Sequence, residues 1–491
     1  MLEAIERCLD FLDESSMPEL QKSLENAIKS VVGLPSKVGC SRVLVSLSTR
    51  QNFIFKPYAD YFLPLARKQV FDRNDTISSS YAAACGYLAR LASDEVLSKE
   101  LVASCHKFYF DSDDERHRVI AGDIVYAVSK HATDRFNSLA SDFLPFVFIA
   151  KHDTYERAKT LFEDTWSENV GGSRTVLLYL KEIVGLASQY LESPRWSLKH
   201  TSAFAIADVV RSSGTGISDA NAKVIWPALE KALSGKTWEG KEKVLKALIE
   251  FAKNSTYWST DPQVAEQVEK IVLRESKRNN SAYRQHAFEC LGDFVELRQD
   301  IDMYSFIYEV MEPVVEEYLE SAEEMDVDSK SGGASSKAVT ESTLANAASA
   351  LLKSINPSRT TNDELSSQLR QSLQLTNRIR TEHRSRRTIE AIYDAQKSLF
   401  ERLHKARDGG NLSEGLESIL IEYTTQVFAS GDQVEQTRIK AAEAVLALAP
   451  IARWGERIRA VFLDGVGGVE GRERSAVVRQ CLGKARKVVE G

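Results

Sequence analysis

Catalysis and metal binding need particular side chains at particular spacings, and this chain offers few of them. Its eight histidines stand at 106, 117, 131, 152, 200, 286, 383 and 404, and no two have metal-ligand spacing. The nearest candidate is Lys151-His152-Asp153, in a predicted turn, and a surface turn accounts for it without chemistry. Two Gly-rich stretches, GVGGVEG at 465–471 and NVGGSR at 169–174, lack the Lys-Ser/Thr pair of a phosphate-binding loop and follow no strand. Both read as interhelical loops. The nucleophile-elbow, zincin and kinase signatures do not occur. Residues 309–328 carry nine acids and no base, without the Asp-x-Asp-x-Asp-Gly spacing of a calcium loop, and read as a solvated helix end. The basic run RIRTEHRSRR at 378–387 lacks aromatic interleaving, which favours a solvated face or an acidic protein surface over nucleic acid. No catalytic, cofactor or metal residue is predicted, and the chain reads as a non-enzyme.

The composition points the same way. A hydrophobic content of 43% and a charged content of 27% are those of a folded globular chain. A net charge of −7 supplies no global basic field for nucleic acid and no attraction to anionic membranes. Cys8, Cys40, Cys85, Cys105, Cys290 and Cys481 are scattered without a Cys-x-x-Cys. Most fall at apolar helix positions, the pattern of buried reduced thiols in a cytosolic or nuclear protein. No apolar run approaches the roughly 18 residues of a transmembrane helix, and MLEAIERCLDFLDE is an amphipathic helix rather than a signal peptide.

Function must then lie on surfaces, and the elements that build them repeat. A small-residue apolar signature returns at Ala84–Leu88, Ala121–Val125, Ala158–Phe162, Ala203–Ala207, Val244–Leu248 and Ala287–Leu291, in steps of 37 to 45 residues. Pro64, Pro145, Pro227 and Pro313 mark twice that period. Two helices per unit of about forty residues is the size class of HEAT and armadillo repeats, so an all-α, HEAT-repeat (armadillo-like) α-solenoid is predicted. First (A) helices are expected near 57–71, 95–110, 136–150, 175–191, 219–234, 263–277 and 303–321. Second (B) helices are expected near 76–92, 116–132, 155–168, 196–213, 241–254 and 281–297. Asp75, Ser218 and Asp261 are the expected caps. The prolines fall inside A helices, where each should kink its helix.

The register divides the chain. A solenoid over 1–321 shows no polar terminal cap at its start, so further repeats are expected upstream. Residues 322–341 read as a disordered acidic and Ser/Gly-rich insert, 342–410 as irregular long helices carrying the basic run, and 411–491 as C-terminal HEAT-like helix pairs. The A-to-B turns line one rim, and three successive ones hold aromatic and basic groups: Arg195 and Trp196, then Lys236, Trp238 and Lys241, then Arg278 and Asn279. Chain reversal needs only Gly, Asn or Asp. The indoles therefore either pack on the next repeat or anchor a partner, as Trp and Arg often do.

At these segments the chain resembles a known family. FDRNDTISSSYAAACGYLARLA, TWSENVGGSRTVLLYLKEIV, PRWSLKHTSAFAIADVV, IWPALEKALSGKTWEGKEKVLKA and KRNNSAYRQHAFECLGDFVELRQDIDMY are similar to the C-terminal region of the proteasome adapter and scaffold proteins, densely so from about 55 to 310. The resemblance implies a C-terminal piece of a very large HEAT-repeat protein that binds the 26S proteasome. It implies a scaffold linking core and regulatory particles, with roles in proteasome assembly, stability and quality control. It also implies residence in cytoplasm and nucleus and, in some members, peripheral association with endomembranes. The family supplies no catalytic residue to carry over. A HEAT-repeat nuclear transport receptor is the rival reading, with the 309–328 acids as its one hint. An α/α-helical enzyme should gather acid/base pairs in one concavity, whereas the polar residues here spread along turns.

Overall fold

The chain is described by a computed structural model covering residues 7–328, 334–383, 385–407, 412–429 and 434–491. These residues form helices and connecting turns, with no strand among them. They divide into two compact units, one of residues up to Ser234 with Asn254–Tyr257, the other Gly235–Lys253 with Trp258–Gly491.

The first unit opens with α1 (Met17–Ser30), α2 (Leu34–Arg50), α3 (Asn52–Gln69) and α4 (Asp75–Ala89). It continues through α5 (Ala103–Phe110), α6 (Glu115–His131), α7 (Thr133–Ser138), α8 (Ala140–Ala150) and α9 (Glu156–Asn169). Then follow α10 (Ser173–Leu178), α11 (Leu180–Tyr190), α12 (Trp196–Ser213) and α13 (Asp219–Ala232). The B helices stack side by side: α2 on α4, α4 on α6, and α6 on α9. The small-residue signature is what permits this. A Cβ at Gly86 would lie 2.3 Å from the carbonyl oxygen of Ala127, so α4 and α6 meet at backbone distance where only glycine fits. Ala84 and Ala121 on the same faces are fully buried. The N-cap of α4 is Asn74, one residue earlier than expected, accepting from the amides of Thr76 and Ile77, and the Ser218 hydroxyl caps α13 as expected. Pro64, Pro145 and Pro227 lie inside α3, α8 and α13.

Register changes at α12. Instead of continuing the B row beside α9, this helix packs chiefly on α8, α10, α11 and α13. Its start reaches the first turn of α6, 79 residues back, through Arg118 Nη1 donating to Ser197 Oγ at 3.0 Å. Asp208, further along α12, takes Lys151 at 2.8 Å and His152 at 3.1 Å from the turn before α9. The helix therefore lies across two earlier A-to-B turns.

The second unit contains α14 (Lys241–Asn254, its last residue counting with the first unit), α15 (Pro262–Ser276), α16 (Ser281–Leu297) and α17 (Tyr304–Asp328). It goes on through α18 (Ala334–Ser354), α19 (Asn362–Arg378), α20 (Arg386–Ala406) and α21 (Glu414–Ala429), ending in α22 (Glu435–Ala452), α23 (Glu456–Glu470) and α24 (Ala476–Glu490). The Asp261 carboxylate caps α15, accepting from the amides of Gln263 and Val264. The B row here is unbroken: α16, α18, α20, α22 and α24 pack in succession, with α19, α21 and α23 as the matching A row.

Three expectations need correction. The expected insert at 322–341 is helical through Asp328 and again from Ala334, because Glu, Met and Ala are strong helix formers whatever their charge; residues 329–333 lie outside the described residues. The stretch 342–410 is regular rather than irregular, since α18 to α20 continue the pairing. GVGGVEG is helical up to Glu470, with Gly465 facing Phe428 of α21 so closely that a Cβ would clash with the ring.

Acids and bases of the second unit neutralise one another. Glu316 pairs with Arg378, and Glu317 with Arg284 at 3.2 Å. Within the basic run Arg380 is buried, donating to Tyr393 Oη at 3.0 Å, and Arg386 pairs with Glu390 at 2.7 Å; Arg384 lies outside the described residues. Arg402 donates to the carbonyls of Leu352, Lys353 and Ile355, closing the C-terminal end of α18. No described helix is long and apolar enough to cross a membrane.

Candidate partner-binding turns

The turn before α12, in the first unit, is held by its neighbours rather than by itself. Arg195 reaches back 83 residues, donating from Nη1 to the Ser112 carbonyl at 2.7 Å and pairing through Nε with Asp113 at 3.4 Å. Ser197, on the other side of Trp196, receives the buried Arg118. Arg118 in turn stands 3.3 Å from Asp153, whose carboxylate also accepts from Tyr109 Oη at 2.6 Å and the Tyr155 amide at 2.7 Å. Burial pushes the Asp153 carboxyl above its usual range, more than Arg118 and the Tyr109 hydrogen bond pull it down. Between these two fixed neighbours Trp196 projects outward, 61% exposed, with Lys199 over its ring at 5.6 Å and His200 beside it at 5.7 Å.

The surface-turn reading of Lys151-His152-Asp153 does not survive. Asp153 is buried, and burial lowers His152 below its usual value despite the hydrogen bond to Asp208. The tripeptide is a structural node, because α12 lies over it.

In the second unit the turn Gly235–Gly240 is shaped by glycines at both ends, with φ of 77° and 101°, a region L-residues avoid. Gly235 offers its carbonyl to Arg278 Nη2 at 2.6 Å and Lys241 Nζ at 3.3 Å. Beneath it one buried carboxylate serves three cations: Glu275 meets Lys241 at 3.0 Å, Arg274 at 2.9 Å and Arg278 at 3.2 Å. It also accepts from Tyr283 Oη at 3.0 Å. Burial alone would raise the Glu275 carboxyl, but the cations outweigh it and hold it below its usual value. Burial likewise pulls the Lys241 ammonium below its usual value, helped by Arg278 and Arg274 and opposed by Glu275. Both directions are those of a site with excess positive charge.

This cluster corrects part of the expected binding set. Lys241 is 0% exposed and is a buried ion-pair partner, since its stem lies in the core and its charge goes to Glu275. Arg278 is largely spent on Gly235 and Glu275. Trp238 is partly accessible, and Lys236 and Asn279 are exposed, although Asn279 also accepts from Arg284 at 2.6 Å. Arg195 and Trp196 belong to one unit and the other five residues to the second, so each turn stands as its own site. Glu275 was not singled out in the sequence, and Asp153 only as part of a surface turn; their helical or turn contexts look like those of any surface acid. Among the described residues no group of His, Cys, Asp and Glu could hold a metal. Burial lifts the thiol of Cys105 to about 12 and raises those of Cys85 and Cys290 further, so these cysteines are inert.

Two family models match this chain. One, described as "Proteasome adapter and scaffold protein ECM29, HEAT-repeat domain", matches residues 1–110; the other, "ECM29, C-terminal ARM-like repeats", matches 251–488. The chain belongs to the ECM29 family. Curated relatives agree: Proteasome component ecm29 of Schizosaccharomyces pombe is 30% identical over 306 residues, covering 62% of this chain and 18% of that protein. Proteasome adapter and scaffold protein ECM29 of Homo sapiens is 28% identical over 333 residues, 66% of this chain and 18% of its own. Proteasome component ECM29 of Saccharomyces cerevisiae is 24% identical over 311 residues, 63% and 17%. The matched region is thus less than a fifth of the length of these ECM29 proteins. The second ECM29 model extends the likeness through α18 to α24, beyond the segment quoted from the sequence. Among solved structures, karyopherin Kap121p aligns with a TM-score of 0.47 at 13% identity, over 99% of this chain and 50% of its own, too remote to bear on function.

Proposed function

We propose that this chain is a non-catalytic adapter segment that binds the 26S proteasome and helps hold its core and regulatory particles together, contributing to assembly, stability and quality control. The observation that carries the reading is the pair of ECM29 models, at 1–110 and 251–488, whose named relatives are proteasome components and scaffolds. A stack of helix pairs supports it physically, because repeats coupled only to neighbours offer a long surface and no closed active site. Cytoplasm and nucleus are the compartments this role requires, and any endomembrane association would run through partners. The contacts we assign to the two exposed turns, Arg195 with Trp196 in one unit and Lys236, Trp238 and Asn279 in the other. The test is co-purification with 26S particles of full-length protein carrying Trp196→Ala with Trp238→Ala. Recovery should fall several-fold while the chain stays folded, with melting lowered only by the small cost of Trp238→Ala. Full recovery would move the contact off both turns; loss of peptidase-linked co-purification from the unsubstituted protein would end the adapter reading.

A further inference from the structure

The turn before α12 carries information about what it binds. Trp196 is exposed but not loose. Arg195 is tied to Ser112 and Asp113, and Ser197 to Arg118, so the indole stands on backbone that is fixed on both sides. A rigid aromatic loses little entropy on binding and is the residue type in which interface energy concentrates. Its immediate neighbour is the turn Asp111-Ser112-Asp113-Asp114-Glu115, four acids in five residues. Of the cations near this turn, Arg195 pairs with Asp113, Arg118 is buried against Asp153 and stands 3.6 Å from Glu115, Arg116 donates to the carbonyls of Phe71 and Asp72, and Lys199 lies over the Trp196 ring at 5.6 Å. Asp113 is 84% exposed and Asp114 58%, so their outer faces point to water. On the far side of Ser112, whose hydroxyl meets His117 Nδ1 at 2.7 Å, lies a second, half-buried aromatic group: Phe71 packs edge-on against Phe108 at 4.9 Å and His117 at 5.1 Å. An acidic turn is thus flanked by aromatic surface on both sides.

We infer that this turn is a docking site for a basic segment of a partner protein, one that lays lysine or arginine stems on Trp196 and the Phe71–Phe108 surface and sets their charges against Asp111, Asp113 and Asp114. The chemistry is that of long cationic side chains, whose methylene stems cover apolar surface while their heads stay polar. A cation over an indole face is attracted by the negative face of the ring. An acidic partner would meet repulsion here, whereas the cation-rich turn around Trp238 would not repel it. The inference rests on the adapter reading for its biological partner, but not for its test.

The test uses the purified chain and two fluorescein-labelled probes, a short peptide alternating lysine and leucine and its glutamate–leucine counterpart, followed by fluorescence anisotropy at two salt concentrations. The basic probe should bind the unsubstituted chain, more weakly at high salt. Trp196→Ala should weaken it about tenfold without moving the melting temperature. Asp111→Asn with Asp113→Asn should weaken it comparably and flatten the salt dependence. Equal binding by Trp196→Ala, or preference for the glutamate probe, would overturn the assignment. If the probe behaves as stated while proteasome co-purification ignores Trp196, the site stands and the adapter assignment of this turn falls. The converse result would keep the turn as a proteasome contact and discard its charge preference.

Discussion

The two units bury charge in different ways. In the first, Tyr109, Arg118, Asp153 and Ser197 come from four separate elements, and the network spans 88 residues of sequence. In the second, Lys241, Arg274, Glu275, Arg278 and Tyr283 come from two neighbouring repeats, and one carboxylate holds them all. The long-range network sits where α12 abandons the B row, and the local one where repeats stack regularly. Generic small-residue packing can join like to like. It cannot specify a helix laid across two turns, and there a directional set of hydrogen bonds and one ion pair fixes the geometry.

The sharpest way to break the comparison is to remove each carboxylate's charge. Glu275→Gln removes the counter-charge of the fully buried Lys241 ammonium, and should cost about 3–5 kcal/mol. Asp153→Asn keeps Ser197 and Glu115 for Arg118, and should cost about 1–3 kcal/mol. Urea denaturation gives the totals, and hydrogen exchange should place each loss within its own unit. Equal penalties would mean that crowding of cations around Glu275 has no energetic consequence.

Acidification should separate the two further. Glu275 is held below the ordinary carboxyl range in the folded chain, so its contribution is complete above an unfolded value of about 4.3 and drains only as pH falls further. Asp153 is raised by burial, so the folded chain takes up that proton first. Uptake of that proton relieves the cost of a buried charge, so the penalty of Asp153→Asn should grow as pH falls, whereas that of Glu275→Gln should shrink below about 4.3. Stability curves for both variants from pH 7 to pH 3 would show the opposite trends, and a penalty at Asp153 that shrinks on acidification would contradict the assigned shift.

Glycine gives a smaller contrast. At Gly86 an added methyl meets a backbone carbonyl at 2.3 Å, and alanine should cost roughly 2–3 kcal/mol. At Gly292 it meets the Ala350 methyl at 3.2 Å, and a helix gains about 1 kcal/mol from replacing glycine, so the net change should be near zero. Thermal melting of the two variants decides it. Smallest of all, Trp196→Ala should leave stability within about 0.5 kcal/mol, while the half-buried Trp238→Ala should cost about 1 kcal/mol. A large loss at Trp196 would make it a packing residue.

Much of this architecture was legible because it is local. Apolar spacing located the helices from 52 to 297 to within a few residues, and Ala203, Ala287 and Cys290 are buried where the repeat signature put them. The acid-rich and basic segments, read as a solvated helix end and a solvated face, misled because the opposite charge arrives from elsewhere. Glu316 and Arg378 are 62 residues apart, and nothing in the spacing of either announces the other. Lys241 misled for a related reason. A lysine beside a tryptophan in a turn looks like a binding residue until the fold brings Glu275 underneath it. For the two turns, the sequence could offer residue types; which cations are already committed depends on contacts between repeats.

The burial of Lys241 makes it a built-in gauge. Amine-reactive reagents and lysine-modifying enzymes can reach Lys236 and Lys277, which are exposed, but meet no nitrogen at Lys241 while the cluster is closed. The labelling rate of Lys241, normalised to those two neighbours, therefore counts how often this part of the second unit opens, in a lysate as readily as in a cuvette.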